Sequence, residues 1–242
     1  MIMDSGPKLK YHRILLKLSG EVLAGSQPFG LNSNSIGVLC ERIKTIKDMQ
    51  VEIALVIGGG NIFRGLNASQ NGMDRVGADQ MGMLATVINS LALQERFERL
   101  GIQTRVLSAI TVGRFVEPFD RRLAEEYLKA GRLVILAAGT GNPFFSTDTA
   151  AALRASELNA DVVLKATKVN GVFSDDPAEN PDAEYFPRLK YLDMVKKNLK
   201  VMDLTAVTIC RDSEIPIIVF DINKPDNLKK VVMGENIGTI IS

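Results

Sequence analysis

Leu133-Val134-Ile135-Leu136-Ala137-Ala138 runs directly into Gly139-Thr140-Gly141-Asn142-Pro143-Phe144-Phe145-Ser146-Thr147-Asp148, and an alanine-rich stretch then continues to Asn159. The six apolar residues do not alternate with polar ones, which is how a strand buried on both faces reads. The glycines mark a tight turn, and the spacing after Thr147 predicts a helix to Asn159. This strand–turn–helix unit recurs along the chain. Apolar runs at Ile14–Leu18, Ile53–Ile57, Arg105–Ser108, Asp161–Lys165 and Ile217–Phe220 have the same character. Between them, Ile36, Leu39, Cys40, Ile43 and Ile46 predict a helix capped by Ser33 or Ser35, and a long helix follows from about Asp74 to Leu100. Further helices are predicted over Glu117–Ala130, Asp203–Ser213 and Pro225–Met233, with Gly101, Gly131 and Gly234 as stops. Strands alternating with helices predict an α/β fold, a three-layer αβα sandwich with a mostly parallel central sheet. The stretch from Asn170 to Asn198, with three prolines, is the expected inserted hairpin or lid.

The 242 residues suit one large domain over residues 13–242, preceded by a leader over residues 1–12. With 29 Lys+Arg against 28 Asp+Glu the net charge is +1, which excludes a generally basic nucleic-acid binder. Two separated cysteines and a single histidine exclude a disulfide scaffold and supply no ordinary zinc set. No apolar run approaches a membrane span. A cytoplasmic protein without nucleic-acid or membrane partners is therefore expected. Cys40, Cys210 and the methionines Met73, Met81 and Met83 read as core filling.

Ligands of open α/β sheets bind beyond the carboxyl ends of the strands. Those ends carry Lys17-Leu18-Ser19-Gly20-Glu21, Gly58-Gly59-Gly60-Asn61 with Arg64, the Gly139–Asp148 run, and Lys165-Ala166-Thr167-Lys168. Glycine turns admit anions close to backbone N–H groups. One such turn is weak evidence; three on one edge beside Lys17, Arg64 and Lys165 favour a phosphate site. It is not a P-loop, because Ser26 follows Gly25 where lysine belongs, and Phe63 and Phe144 replace the third glycine of a dinucleotide fingerprint. A nucleoside triphosphate and a monophosphate bring together about six negative charges; two lysines, an arginine and one Mg²⁺ supply about +5. Asp148 and Asp203 fit as groups that hold the lysines, or as helix caps. Asp79 suits either ribose hydroxyls or a helix dipole. Phe173 suits base stacking or local packing.

These residues resemble a known family. Lys17–Glu21, Gly58-Gly59-Gly60-Asn61-Ile62-Phe63-Arg64-Gly65, Gly139–Phe145 and Leu199-Lys200-Val201-Met202-Asp203 are similar to the bacterial uridylate kinases (UMP kinases) of the amino-acid kinase superfamily, from about Arg13 to Ile240. The resemblance implies an amino-acid kinase-like fold and phosphoryl transfer from Mg²⁺–ATP to UMP in pyrimidine nucleotide synthesis. It implies a homohexamer, activated by GTP and inhibited by UTP. It places Lys17, Leu18, Ser19, Gly20, Gly60 and Arg64 at the ATP phosphates, and Thr167, Phe173 and Asp176 at the adenosine. Gly59, Asp79 and Thr140, Gly141, Asn142, Pro143, Phe144, Phe145, Ser146 and Thr147 would hold UMP. Lys17, Arg64, Asp148, Lys165 and Asp203 would be catalytic, with no metal ligand from the chain itself. Gly25, Ser26, Gln27, Pro28, Phe29 and Gly30 match a segment tied to the GTP response. Asn170 stands where many members have Asp, and Ser146 where many have Thr. Two readings stay open beside this one: a kinase with a carboxylate or carbamate acceptor, and a nucleotide sensor without turnover.

Overall fold

The computed structural model describes residues 8–64, 72–197, 199 and 201–242. Gly65, Lys200 and residues 1–7 of the expected leader lie outside the described residues. Every strand expected from an apolar run forms: β1 (Arg13–Leu18), β2 (Glu52–Ile57), β3 (Thr104–Ser108), β5 (Leu133–Ala137), β6 (Val162–Thr167) and β10 (Ile217–Asp221). Short strands β4 (Glu117–Pro118), β9 (Arg188–Leu189) and β11 (Thr239–Ile241) complete a nine-stranded sheet in the order β4-β3-β5-β2-β1-β6-β10-β11-β9. All its pairings are parallel except β10 with β11.

The lack of alternation in the strands has a direct cause. Ile14, Leu16 and Leu18 enter one apolar core, while Leu15 between them enters another on the opposite face. Ile53, Leu55 and Ile57 divide from Ala54 and Val56 in the same way. Both faces are covered, so neither side chain set is polar. Helices α2 (Ser33–Lys47), α3 (Arg75–Arg99) and α8 (Asn227–Val232) supply the first core; α4 (Arg121–Lys129), α5 (Thr147–Glu157) and α7 (Leu204–Asp212) supply the second. The chain travels from β1 outward through β2 to β3, then reverses through β5 to β6 and β10. With one hand of crossover, that reversal moves the connecting helices from one face to the other.

Local signals set the helix boundaries, with two corrections. The cap of α2 is Asn32, whose side chain accepts from the Ser35 N–H, not Ser33 or Ser35. The expected helix over Glu117–Ala130 begins only at Arg121, capped by Asp120. Pro118 disfavours helical geometry at Glu117, and Glu117–Pro118 pairs with β3 instead. The long helix begins where expected, with Asp74 as its cap. The irregular stretch contains the hairpin β7 (Val172–Phe173) and β8 (Tyr185–Phe186), followed by β9 and the short helix α6 (Tyr191–Lys196). One further turn, α1 (Glu21–Ala24), follows β1.

Cys40 and Cys210 are buried, and burial pushes both thiols up to about 12, so they stay protonated and apolar. The methionine expectation is half corrected: Met83 packs on the core, but Met73 and Met81 are exposed. Met81 belongs to an outward stripe on α3 with Leu84 and Ile88, which are 51% and 48% exposed. The same helix buries Ala85, Leu93 and Phe97 on its inner side. Its apolar residues therefore serve two faces, which periodicity alone does not separate. Tyr11, near the end of the expected leader, is buried and bonds through its backbone to Val232.

Candidate active site

The parallel register of β1 and β6 sets Lys17 directly opposite Lys165. Paired residues on neighbouring strands point to the same face, so two ammonium groups meet at the carboxyl edge of the sheet. Asp148 lies between them: Lys17 Nζ is 2.8 Å from Oδ1 and Lys165 Nζ donates to Oδ2 at 2.5 Å. The Lys17 contact is an ion pair without the alignment of a hydrogen bond, since Oδ1 accepts none. Lys165 Nζ also donates to the Val201 carbonyl. Asp148 does not cap its helix; Ser146 does, accepting from the N–H groups of Asp148 and Thr149 at 3.0 and 3.1 Å. The carboxylate is thus freed to face the lysines from the first turn of α5, where the helix dipole favours it.

Burial opposes the charge on both groups. It raises the Asp148 carboxyl, but Lys17 and then Lys165 outweigh it, and the group is held below the ordinary carboxylate value. Burial, followed by the nearby Lys17 charge, pulls Lys165 below the ordinary lysine value, with Asp148 resisting. Two cations and one anion leave a local charge of about +1, a field an incoming phosphoryl group would neutralise.

A second group of residues lines a cavity of about 490 Å³ beside this triad: Gly59, Gly60, Arg64, Asp79, Thr140, Asn142, Phe144, Phe145, Ser146 and Thr147 all contribute. The triplet turn packs closely on α3; a Cβ on Gly59 would stand 2.8 Å from the Ala85 Cβ and from the Gly82 carbonyl oxygen. Asp79 Oδ2 accepts from the Phe144 N–H at 2.8 Å and from Arg75 Nε at 2.8 Å, so it ties α3 to the Gly139–Thr147 loop. Asp79 lies one turn inside α3, which removes the dipole reading of its role. The loop is conformationally demanding: Ala138 and Phe144 join Gly139 and Gly141 at positive φ. Non-glycine residues there cost of order 1 kcal/mol each and need a fixed framework. Thr86 helps provide it, its buried hydroxyl accepting from the Ala138 N–H at 2.7 Å. Arg64 donates to Glu21 at 2.5 Å and to the Gly60 carbonyl.

The residues expected at an adenosine separate. Phe173 and Asp176 line a cavity of about 430 Å³ with Leu199 and Val201, whereas Thr167 opens into a different one, of about 530 Å³, with Lys17, Ser19 and Lys165. Phe173 packs against Tyr185 with ring centroids 5.2 Å apart. Leu18 is buried in the first core, and Gly25 edges the 530 Å³ cavity. Gln27 bonds back to Ala24, Phe29 is 74% exposed, and Gly30 bonds to Asn61.

The model of the amino acid kinase family matches residues 12–221. The chain belongs to that family. Among solved structures it is similar to a UMP kinase from Bacillus anthracis, 39% identical over 96% of both chains with a TM-score of 0.93. A UMP kinase from Ureaplasma parvum is 36% identical, covering 97% of this chain and 100% of that one, with a TM-score of 0.89. A uridylate kinase from Archaeoglobus fulgidus is 31% identical over 95% and 99%, with a TM-score of 0.73.

The amino acid kinase fold thus brings Lys17, Lys165 and Asp148 into one contact set, and Arg64, Asp79 and the Gly139–Thr147 loop into the neighbouring cavity. Asp203 caps α7 and also accepts from two hydroxyls, Ser146 and Thr149, the latter at 2.9 Å. It is a cap and a brace of two hydroxyls, while the ion pairs to Lys17 and Lys165 among the described residues are made by Asp148, so the lysine-holding role falls to Asp148 rather than Asp203. Thr86 and Thr149 were missed from sequence. Each sits in a helix among small or apolar residues, and nothing local marks its hydroxyl as a long-range partner.

Proposed function

We propose that the chain is an ATP:UMP phosphotransferase that makes UDP and ADP. One observation carries this reading: a lysine pair clasping one carboxylate stands between a cavity built on Asp79 and the Gly139–Thr147 loop and a hairpin cavity carrying Phe173. Lys165 is linked to both neighbours. Asp148 follows Thr147 of the first cavity, and Val201 lines the second. UMP would occupy the first, held by Gly59, Asp79 and Thr140–Thr147. ATP would lay its phosphates along Lys17, Ser19, Gly20, Gly60 and Arg64 and its adenosine against Phe173 and Asp176, with Thr167, in the separate cavity it shares with Lys17, Ser19 and Lys165, nearer the phosphates.

The reaction is in-line transfer of the γ-phosphoryl group to a UMP phosphate oxygen, with positioning and charge supplying most of the rate. Lys165 faces the transferred group, Lys17 the phosphates of the donor, and Asp148 fixes the spacing of both. No three acids, histidines or cysteines gather as a metal site among the described residues. Asp148 and Asp203 are occupied by lysines and hydroxyls, so Mg²⁺ fits as an ion carried on the ATP oxygens, where it offsets phosphate charge. Arg64 must exchange Glu21 for phosphate, and this exposed pair is weak enough to allow it.

The deciding assay is ADP release from ATP and Mg²⁺ with UMP, CMP, AMP, carbamate or N-acetylglutamate, each with and without GTP. Release with UMP supports the proposal. Silence with UMP and turnover of another acceptor would leave the phosphate cradle and remove the acceptor assignment. ATP binding without any turnover would favour a sensor. Asp79→Asn is expected to raise the UMP KM by about tenfold, the loss of a charged hydrogen-bond acceptor, and to leave the ATP KM near wild type. The reverse pattern would place Asp79 on the donor side.

We further read the chain as one domain over residues 13–242 and as a cytoplasmic homohexamer activated by GTP and inhibited by UTP. The Met81–Leu84–Ile88 stripe supports assembly, since exposed apolar patches of this kind mark interfaces. Ile88→Glu is expected to shift sedimentation to smaller species without unfolding the protomer; an unchanged profile would move the interface elsewhere.

A further inference from the structure

The Gly25–Gly30 segment, both phosphate turns and helix α3 meet at one buried object. Asn61, after β2, faces Asn89 in the middle of α3, and the two are 2% and 0% exposed. Asn89 Nδ2 donates to Asn61 Oδ1 at 2.7 Å and to the Gly58 carbonyl at 2.7 Å. Asn61 Nδ2 donates to Asn89 Oδ1 at 3.0 Å and to the Gly30 carbonyl at 2.8 Å. All four amide hydrogens are used. Turning either amide would set oxygens against oxygens, so the network fixes both orientations. The Gly30 N–H donates to the Asn61 carbonyl at 2.6 Å. A Cβ on Gly20 would stand 2.4 Å from both Asn61 Oδ1 and the Gly58 oxygen, which makes the pair the floor beneath the Lys17–Gly20 turn.

We propose that Asn89 is a positioning residue for phosphate binding. A trans peptide is planar, with its N–H opposite its C=O. Drawing the Gly58 carbonyl inward therefore turns the Gly59 N–H outward, toward the cleft. That N–H donates to no backbone carbonyl among the described residues, and it is the group an anion would take. Packing alone does not call for such a pair. Two buried amides are costly unless fully satisfied, and once satisfied they hold a single geometry. The link to Gly30 makes the Gly25–Gly30 segment the third support of the same turn. The inference rests on reading the Gly58–Gly60 turn as a phosphate cradle.

The test uses inorganic tripolyphosphate as the anion and calorimetry as the readout, beside kcat. Asn89→Leu removes both donors and is expected to weaken tripolyphosphate about tenfold, the scale of one lost hydrogen bond to a charged group, and to lower kcat similarly. Asn89→Ser, which keeps one hydroxyl, is expected to fall between, and it serves if the leucine variant does not fold. Gly30→Ala strains a backbone at φ 88 that has nothing within 4 Å of the new Cβ. It is expected to weaken tripolyphosphate about threefold from outside the cradle, less than the loss of a direct bond. A purely structural pair would lower the melting temperature and leave tripolyphosphate affinity within twofold in the folded Asn89 variants, and that result overturns the proposal. Failure of the unaltered protein to bind tripolyphosphate would instead remove the cradle reading itself.

Discussion

Lys165→Ala is expected to lower kcat by about 10²-fold or more, equivalent to roughly 3 kcal/mol, the scale of one preorganised transition-state donor. The argument is geometric. Lys165 Nζ has two oxygen partners, Asp148 Oδ2 and the Val201 carbonyl, and ammonium carries a third hydrogen that neither uses. Alanine removes the charge and leaves Asp148 to Lys17 alone, which draws the remaining lysine toward the carboxylate and away from phosphate. The UMP KM should change little, because the Asp79 cavity does not contain Lys165. Lys165→Arg separates charge from placement. Guanidinium keeps the charge but does not fit a position buried among Asp148, Val201 and Lys17, so partial recovery at most is expected. The pH profile gives a second reading. Lys165 in the free enzyme is pulled below the ordinary value of 10.5 by burial and by Lys17. The alkaline limb of kcat/KM for ATP should therefore begin below that value and move upward in Lys165→Arg. Near-wild-type turnover by Lys165→Ala would remove the residue from the chemistry.

Most of the fold was legible because it is written in local periodicity. Strands such as Leu133–Ala137 and Ile53–Ile57 are apolar throughout because helices cover both faces. The glycine turns are legible for the same reason, since each follows such a strand. What escaped was anything set by a partner distant in sequence. Glu117–Pro118 joins the sheet because β3 is beside it, although the segment reads as helix. Met81, Leu84 and Ile88 share a helical face, but only the placement of Ala85, Leu93 and Phe97 against the sheet shows that this face points outward. The site divides in the same way. Lys17, Lys165 and the Gly139–Asp148 run announce themselves by residue type and position after a strand. Thr86, Thr149 and Asn89 act across 52, 54 and 31 residues, through the Ala138 N–H, Asp203 and Gly58, and no spacing rule reaches that far.

Asp148→Asn is expected to cost both stability and rate. The side chain is largely covered between Lys17 and Lys165, and the amide keeps the volume while removing the charge that neutralises them. Two largely covered ammonium groups would then face each other without a counter-charge, a loss on the order of 3 kcal/mol. Folded Asp148 lies below its ordinary 3.8, so its contribution is present above that value and is lost as pH falls through the folded value. The difference between wild type and Asp148→Asn in urea unfolding should accordingly be large at pH 7 and shrink in acid. An anion offers an independent check. Tripolyphosphate bound at the lysines would replace the missing carboxylate charge, so it should raise the unfolding midpoint of Asp148→Asn more than that of the wild type. Turnover should remain low even then, because an anion that neutralises the lysines does not space them for the donor and acceptor phosphates. Equal stability of the two proteins at pH 7, with turnover retained, would mean that the lysines are held by something other than Asp148.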